Sequence, residues 1–161
     1  MRGLSLISAL LFLGLGSPAE PPQVIAVVVH KTNPLSNLSL ANLARIYRGQ
    51  ETQWQSGERI FVVNRPATSV IRGNFYRQVL RSGPYEKHYL AGTPVPFQTL
   101  VQESAEAVKL YVTRVPEAIG YIWLSEVDGS VRVVKIDNVF PTEDAIDTGT
   151  YALGPERYAR P

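Results

Sequence analysis

Arg65, Thr68, Ser69 and Arg72 are the residues of this chain whose types and spacing best suit the holding of an anion. They lie in the run Ile60-Phe-Val-Val-Asn-Arg-Pro-Ala-Thr-Ser-Val-Ile-Arg72. The run reads as a buried strand over 60–63, a short polar turn, and the first turn of a helix. A helix start exposes unpaired backbone N–H groups and the positive end of the helix dipole. Such a place attracts oxyanions, and an arginine fork matches a phosphate or carboxylate with two parallel hydrogen bonds. The bland alternative is a Thr or Ser N-cap flanked by two solvated arginines, and on the local run alone it carries more weight.

Other chemistries find little support. His30 and His88 are the only histidines, and each reads as a surface or half-buried ring. The chain has no Gly-x-Ser-x-Gly nucleophile elbow, no His-x-x-x-His pair, no cysteine and no Gly-x-x-x-x-Gly-Lys loop. Hydrolase, zinc and nucleotide devices of those kinds are therefore not expected. Neither an enzymatic activity nor a cofactor or metal is expected. Glu143, Asp144 and Asp147 read as a solvated helix start or turn. Asn37-Leu38-Ser39 matches a glycosylation sequon and reads as a helix cap. Tyr76, Tyr85, Tyr89 and Phe97 flank a loop; an apolar ligand groove is one reading, and packing of the loop against the helix that follows Ser69 is the favoured one.

The elements that position these residues follow from composition and pattern. The chain has 161 residues, 45% hydrophobic and 19% charged, with a net charge of +2. That suits one domain with a modest core. The charge balance argues against nucleic acid or an anionic membrane as partner. Residues 4–15 form an apolar run behind Arg2, of signal-peptide length and too short to span a bilayer. Ser17-Pro18-Ala19 offers small residues for cleavage, so 1–19 is expected to be a signal peptide and 20–161 a single domain. A periplasmic or secreted location follows, with no membrane span after cleavage.

The run at 24–29 (Val-Ile-Ala-Val-Val-Val) fits a strand buried on both faces. Ser39 reads as the cap of a helix carrying Leu40, Leu43, Ile46 and Tyr47, with Gly49 as its stop. Residues 50–58 read as a polar turn anchored by Trp54. After the strand at 60–63, Ile71, Phe75 and Val79 mark one face of a helix that ends at Ser82-Gly83-Pro84. A short aromatic helix is expected at 85–90, then a loop over 91–99. Ser104 caps a helix burying Ala105, Val108, Val112 and Val115, stopped by Pro116. Further strands are expected at 118–123 and 131–136. The last 20 or so residues lack periodicity and are expected to wrap back over the domain. Strands alternating with helices imply an α/β fold with a mixed, mostly parallel sheet and helices on both faces. Ligands of such folds bind beyond the carboxyl ends of strands, where the Asn64–Ser69 turn falls. That position raises the anion-site reading above the bland one.

In order along the chain, several stretches resemble one lobe of the phosphate-binding proteins that serve bacterial ABC importers. These are Asn33-Pro34-Leu35-Ser36-Asn37-Leu38-Ser39-Leu40; Ile46-Tyr47-Arg48-Gly49 with Trp54; Val62-Val63-Asn64-Arg65 with Ser69, Arg72 and Phe75; Pro116-Glu117-Ala118-Ile119-Gly120-Tyr121; and Ile136-Asp137-Asn138-Val139 with Pro141-Thr142, Gly149 and Tyr151. The resemblance implies a periplasmic-binding-protein clamshell lobe that holds phosphate through the turn at Thr68 to Arg72. Ser69 and Arg72 match that pattern. Val70 stands where the family usually has a small Gly, and Ile71 where it has a Thr. An unmade phosphate contact costs about 1–3 kcal/mol, up to roughly a hundredfold in affinity. The family's clamshells have two lobes, and the resemblance leaves room for one here. Weak, salt-screened binding of phosphate or a related oxyanion is thus expected, with a second copy or an envelope protein supplying the missing wall. The alternative is a protein-interaction module of the cell envelope that has lost its ligand, marked by an apolar patch at Val70 and Ile71.

Overall fold

Five consecutive residues without a polar side chain open the fold: β1 (Ile25–Val29) is buried along its whole length. Ile25, Val27 and Val29 join one core cluster and Val28 the other, so period-two alternation feeds both faces of the sheet. This computed structural model describes residues 23–155, and the expected signal peptide at 1–19 lies outside them.

The chain then makes β2 (Asn37–Leu38), α1 (Leu40–Tyr47), β3 (Phe61–Asn64), α2 (Val70–Phe75), β4 (Leu100–Val101), α3 (Ala105–Arg114), β5 (Ala118–Trp123), β6 (Arg132–Val133), β7 (Lys135–Ile136) and α4 (Glu143–Asp147). The main sheet has five strands in the order β4-β3-β5-β1-β6. β3 runs parallel to β4 and β5, while β1 runs antiparallel to β5 and β6. Only β1 therefore opposes the common strand direction. α1 and α2 cover one face with Leu43, Ile46, Tyr47, Ile71 and Phe75. α3 covers the other with Ala105, Val108 and Val112. Among the described residues no helix is long and apolar enough to cross a membrane.

Several expectations from sequence hold. Ser39 caps α1 by accepting from the Asn42 amide, and Ser104 caps α3 by accepting from the Ala107 amide. Gly49 follows α1 with φ of +72°, the left-handed geometry that suits glycine at a helix stop. Trp54 donates its indole N–H to Glu117 O at 3.0 Å.

Three expectations change. The expected strand at 131–136 is two: β6 pairs with β1, and β7 leaves to pair in parallel with β2 in a separate ribbon. Its amides find non-local acceptors, Val134 on Val27 O and Lys135 on Ser36 O, which no local pattern encodes. The expected helix at 85–90 is absent. Residues 85–97 form an open arm closed by Leu90 N–H to Val95 O and Phe97 N–H to His88 O, bonds that replace a helical ladder. The expected loop then ends in β4, the edge strand. Finally, the non-periodic tail contains α4, capped by Thr142. The tail does wrap back, because Leu153 O accepts the Ile25 amide and Tyr151 donates its hydroxyl to Ile25 O.

Candidate anion-binding cleft

β3 ends at Asn64, one of the few buried polar side chains. Its Oδ1 accepts from the Tyr121 hydroxyl at 2.6 Å and from the Arg65 amide at 2.9 Å. Its Nδ2 donates to the Tyr76 hydroxyl at 2.9 Å. Below it, Phe75 stacks on Tyr121 with ring centroids 4.0 Å apart, and Tyr47 packs edgewise against Tyr121 and tilted against Phe75. Tyr47 donates to Val63 O at 3.0 Å. The turn that follows β3 therefore rests on an aromatic platform whose hydroxyls are tied to the strand end. Burial holds the Tyr47 and Tyr121 hydroxyls well above the usual phenol range, so both stay protonated donors.

Ser69 caps α2. Its Oγ accepts from the Arg72 amide at 3.4 Å and donates to Pro66 O at 2.7 Å. The amides of Val70 and Ile71 belong to the first turn, where no intrahelical partner exists. Arg72 Nη1 donates to Arg65 O at 2.9 Å, and its guanidinium lies 4.6 Å from the Tyr76 ring centre. Arg65 turns the other way, donating to Glu103 O at 3.0 Å beside the start of α3. Thr68 is exposed. α2 continues without a break into a π-helical turn (Tyr76–Leu80) that ends at Arg81, with φ of 55°. Helix termination thus comes one residue before the expected Ser82.

A cleft of about 400 Å³ opens between this turn and the 85–97 arm. Ala67, Arg72, Tyr76, Tyr85, His88 and Phe97 line it. Of the four anion-site residues read from sequence, Arg72 lines the cleft; Thr68 and Ser69 sit in the adjoining turn, and the Arg65 guanidinium is directed toward Glu103. Arg72 Nε and His88 Nε2 are both buried without a hydrogen-bond partner. Burial holds His88 below the usual imidazole range; Glu86 opposes that shift, and Arg48 and Arg72 add to it. Tyr76 is buried and Phe97 packs on the core, as expected of rings between helix and loop, but Tyr85 and Tyr89 are exposed.

The apolar patch expected at Val70 and Ile71 is not formed. Val70 is 64% exposed, but Ile71 is 2% exposed and lies in the core with Phe75. An i, i+4 partner of Phe75 must face the sheet. Asn64, Tyr121 and His88 are site residues that the sequence alone does not reveal. The one signal for Asn64 was a polar side chain closing an apolar strand.

A larger groove of about 840 Å³ is lined by residues that follow β1 and precede β5, at the opposite end of the strands from Asn64. Glu51, Glu58 and Glu117 line it, and like charge disfavours an oxyanion there. Among the described residues no group of three or more His, Cys, Asp or Glu could hold a metal ion.

A family model described as a PBP superfamily domain matches residues 23–159, and the chain belongs to that family. The ABC-type phosphate transport receptor of Vibrio cholerae is similar in structure, with a TM-score of 0.70 and 29% identity over 81% of this chain and 53% of the receptor. A putative phosphate ABC transporter substrate-binding protein of Clostridium perfringens, solved with bound phosphate, gives a TM-score of 0.70 and 29% identity over 83% of this chain and 53% of that protein. PstS of Borrelia burgdorferi shares the fold at 17% identity, with a TM-score of 0.70 over 83% of this chain and 55% of PstS. The chain thus spans about half the length of these relatives.

Proposed function

We propose that this protein is an extracytoplasmic substrate-binding-protein-like domain that binds phosphate or a related oxyanion weakly, and is not an enzyme. The observation that carries the reading is Arg72, a fixed guanidinium in the cleft beside the start of α2. Its Nε has no partner, and the uncapped first-turn amides lie close by in sequence. Similarity to a protein solved with bound phosphate supports the same chemistry. Arg65, Thr68 and Ser69 shape and extend the turn, and Thr68 is the hydroxyl free to reorient toward a ligand. Because the cleft is open to water, attraction is screened, and affinity in the millimolar range is expected. A second copy or an envelope protein would close the cleft and raise it.

Calorimetric titration of phosphate at low and moderate salt tests the reading, beside an Arg72→Ala variant. Binding that weakens with salt and disappears in the variant is the expected result. Silence of the wild type toward phosphate, sulfate and carboxylates would overturn it.

A second reading, a protein-interaction module of the cell envelope, is favoured by one feature. The edge strand β4 exposes Leu100 and Val101 to solvent, and an unpaired apolar edge invites strand addition. Crosslinking in envelope extracts, with and without Val101→Lys, separates this reading from the first.

A further inference from the structure

We propose that the cleft between α2 and the 85–97 arm takes an organic phosphate or phosphonate, its charged head on Arg72 and His88 and its apolar body on the rings of Tyr85 and Phe97. This rests on the oxyanion reading above and narrows its ligand class.

Size is the first argument. A cleft of about 400 Å³ falls among sites for organic molecules, roughly 300–1,000 Å³. A bare phosphate would leave most of it to water. Chemistry is the second, because the wall divides into two kinds of surface. Arg72, Lys87 and His88 supply cationic or donor groups. Glu86, the acidic residue of the wall, is exposed. Tyr76, Tyr85 and Phe97 supply rings. Phe97 is pinned against Gly49, where a Cβ would stand 2.5 Å from its Cγ. Tyr85 is 70% exposed yet belongs to the cleft wall, so core packing does not account for its ring.

The third argument is an unmet demand. Native proteins rarely leave buried polar atoms unpaired. Here Arg72 Nε and His88 Nε2 are both orphaned, and both residues line the same cleft. Arg72 Nε–H is an obligate donor, and His88 Nε2 donates in one tautomer and in the imidazolium form. Both atoms are screened from solvent, so a small turn of the Arg72 and His88 side chains must open them before the acceptor oxygens of a phosphoryl group meet them. The Tyr76 ring carries Arg72 on its face and stands 6.1 Å from the His88 ring. One buried ring, 3% exposed, thus holds both head-group residues in place from behind, and the surface left for the body is that of Tyr85 and Phe97.

The test titrates the full chain with inorganic phosphate and with phenylphosphonate at equal ionic strength, then repeats both with Tyr85→Ala. Because Tyr85 is exposed, its truncation probes contact without threatening the core. Phenylphosphonate is expected to bind at least about tenfold more tightly than phosphate, and Tyr85→Ala to narrow that ratio to below about threefold. Phosphate binding as tightly as phenylphosphonate would overturn the inference while leaving the oxyanion reading intact. A preference undiminished in Tyr85→Ala would overturn it as well, by locating the phenyl group elsewhere. Silence toward both anions would overturn both.

Discussion

Asn64 is the residue on which the candidate site turns. One side chain satisfies the hydroxyls of Tyr76 and Tyr121 and the amide that begins the Arg65 turn. Asn64→Leu keeps the volume and removes the partners, so destabilisation of about 1–3 kcal/mol for each hydroxyl left unpaired is expected in denaturant titrations. Adding Tyr121→Phe should recover part of that loss, since a missing hydroxyl no longer needs a partner. His88 sets a pH dependence. Its folded pKa is depressed by burial, so the native ring resists protonation. Its contribution to stability is intact above the unfolded value of about 6.5 and declines as pH falls through the lower folded value. Anion affinity should move the other way. Sulfate keeps its charge in mildly acidic solution, and its binding is expected to strengthen as pH falls below the usual imidazole range and His88 becomes cationic. Burial sets most of the resistance to that protonation, Glu86 eases it, and Arg48 and Arg72 add to the resistance. His88→Gln should flatten both trends, measured by calorimetry and by melting across pH.

At the scale of elements, the far wall of the cleft depends on α1 ending where it does. Gly49 takes φ of +72°, and the ring of Phe97 occupies the space where a Cβ would be. Gly49→Ala forces a left-handed alanine, costing about 1–2 kcal/mol, and pushes Phe97 away. A lower melting temperature and faster amide exchange over 85–97 are the expected outcome. A variant melting like the wild type, with unchanged exchange, would remove Phe97 as the anchor of the arm. The same arm explains what could not be read in advance. The strand–turn–helix around Arg65 to Arg72 is local, so β-branched runs, Ser69 and the Ile71–Phe75 spacing reveal it. The arm has no periodicity; two cross-arm backbone bonds and one ring against one glycine hold it. Without it, Arg72 is an anion-site residue with no facing wall, and His88 looks like a surface or half-buried ring. The β6–β7 split was hidden for the same reason, since its acceptors lie on β1 and before β2.

For the whole molecule, the alternation of strands and helices was legible because each element buries a patterned face. β1 alternates between two cores, and α3 presents Ala105, Val108 and Val112 at helical spacing. The antiparallel sense of β1 was not legible, because a strand buried on both faces reads alike in either direction. Export is the prediction that belongs here. If residues 1–19 direct secretion, the protein recovered from the periplasm or medium begins at Glu20, as intact mass will report. A mature mass that retains Met1 would refute cleavage there.

The clasp between Ile25 and the 151–153 segment has a topological corollary. The start of β1 and the 151–153 segment lie side by side, joined by Leu153 O to the Ile25 amide at 3.0 Å and by the Tyr151 hydroxyl to Ile25 O at 2.9 Å. Circular permutation should therefore be tolerated: residue 155 linked to residue 23 by a few glycines, with new ends opened at the exposed Asp128–Ser130 turn. A permutant of this kind could be threaded as a loop into a second protein, carrying the cleft with it as a cassette.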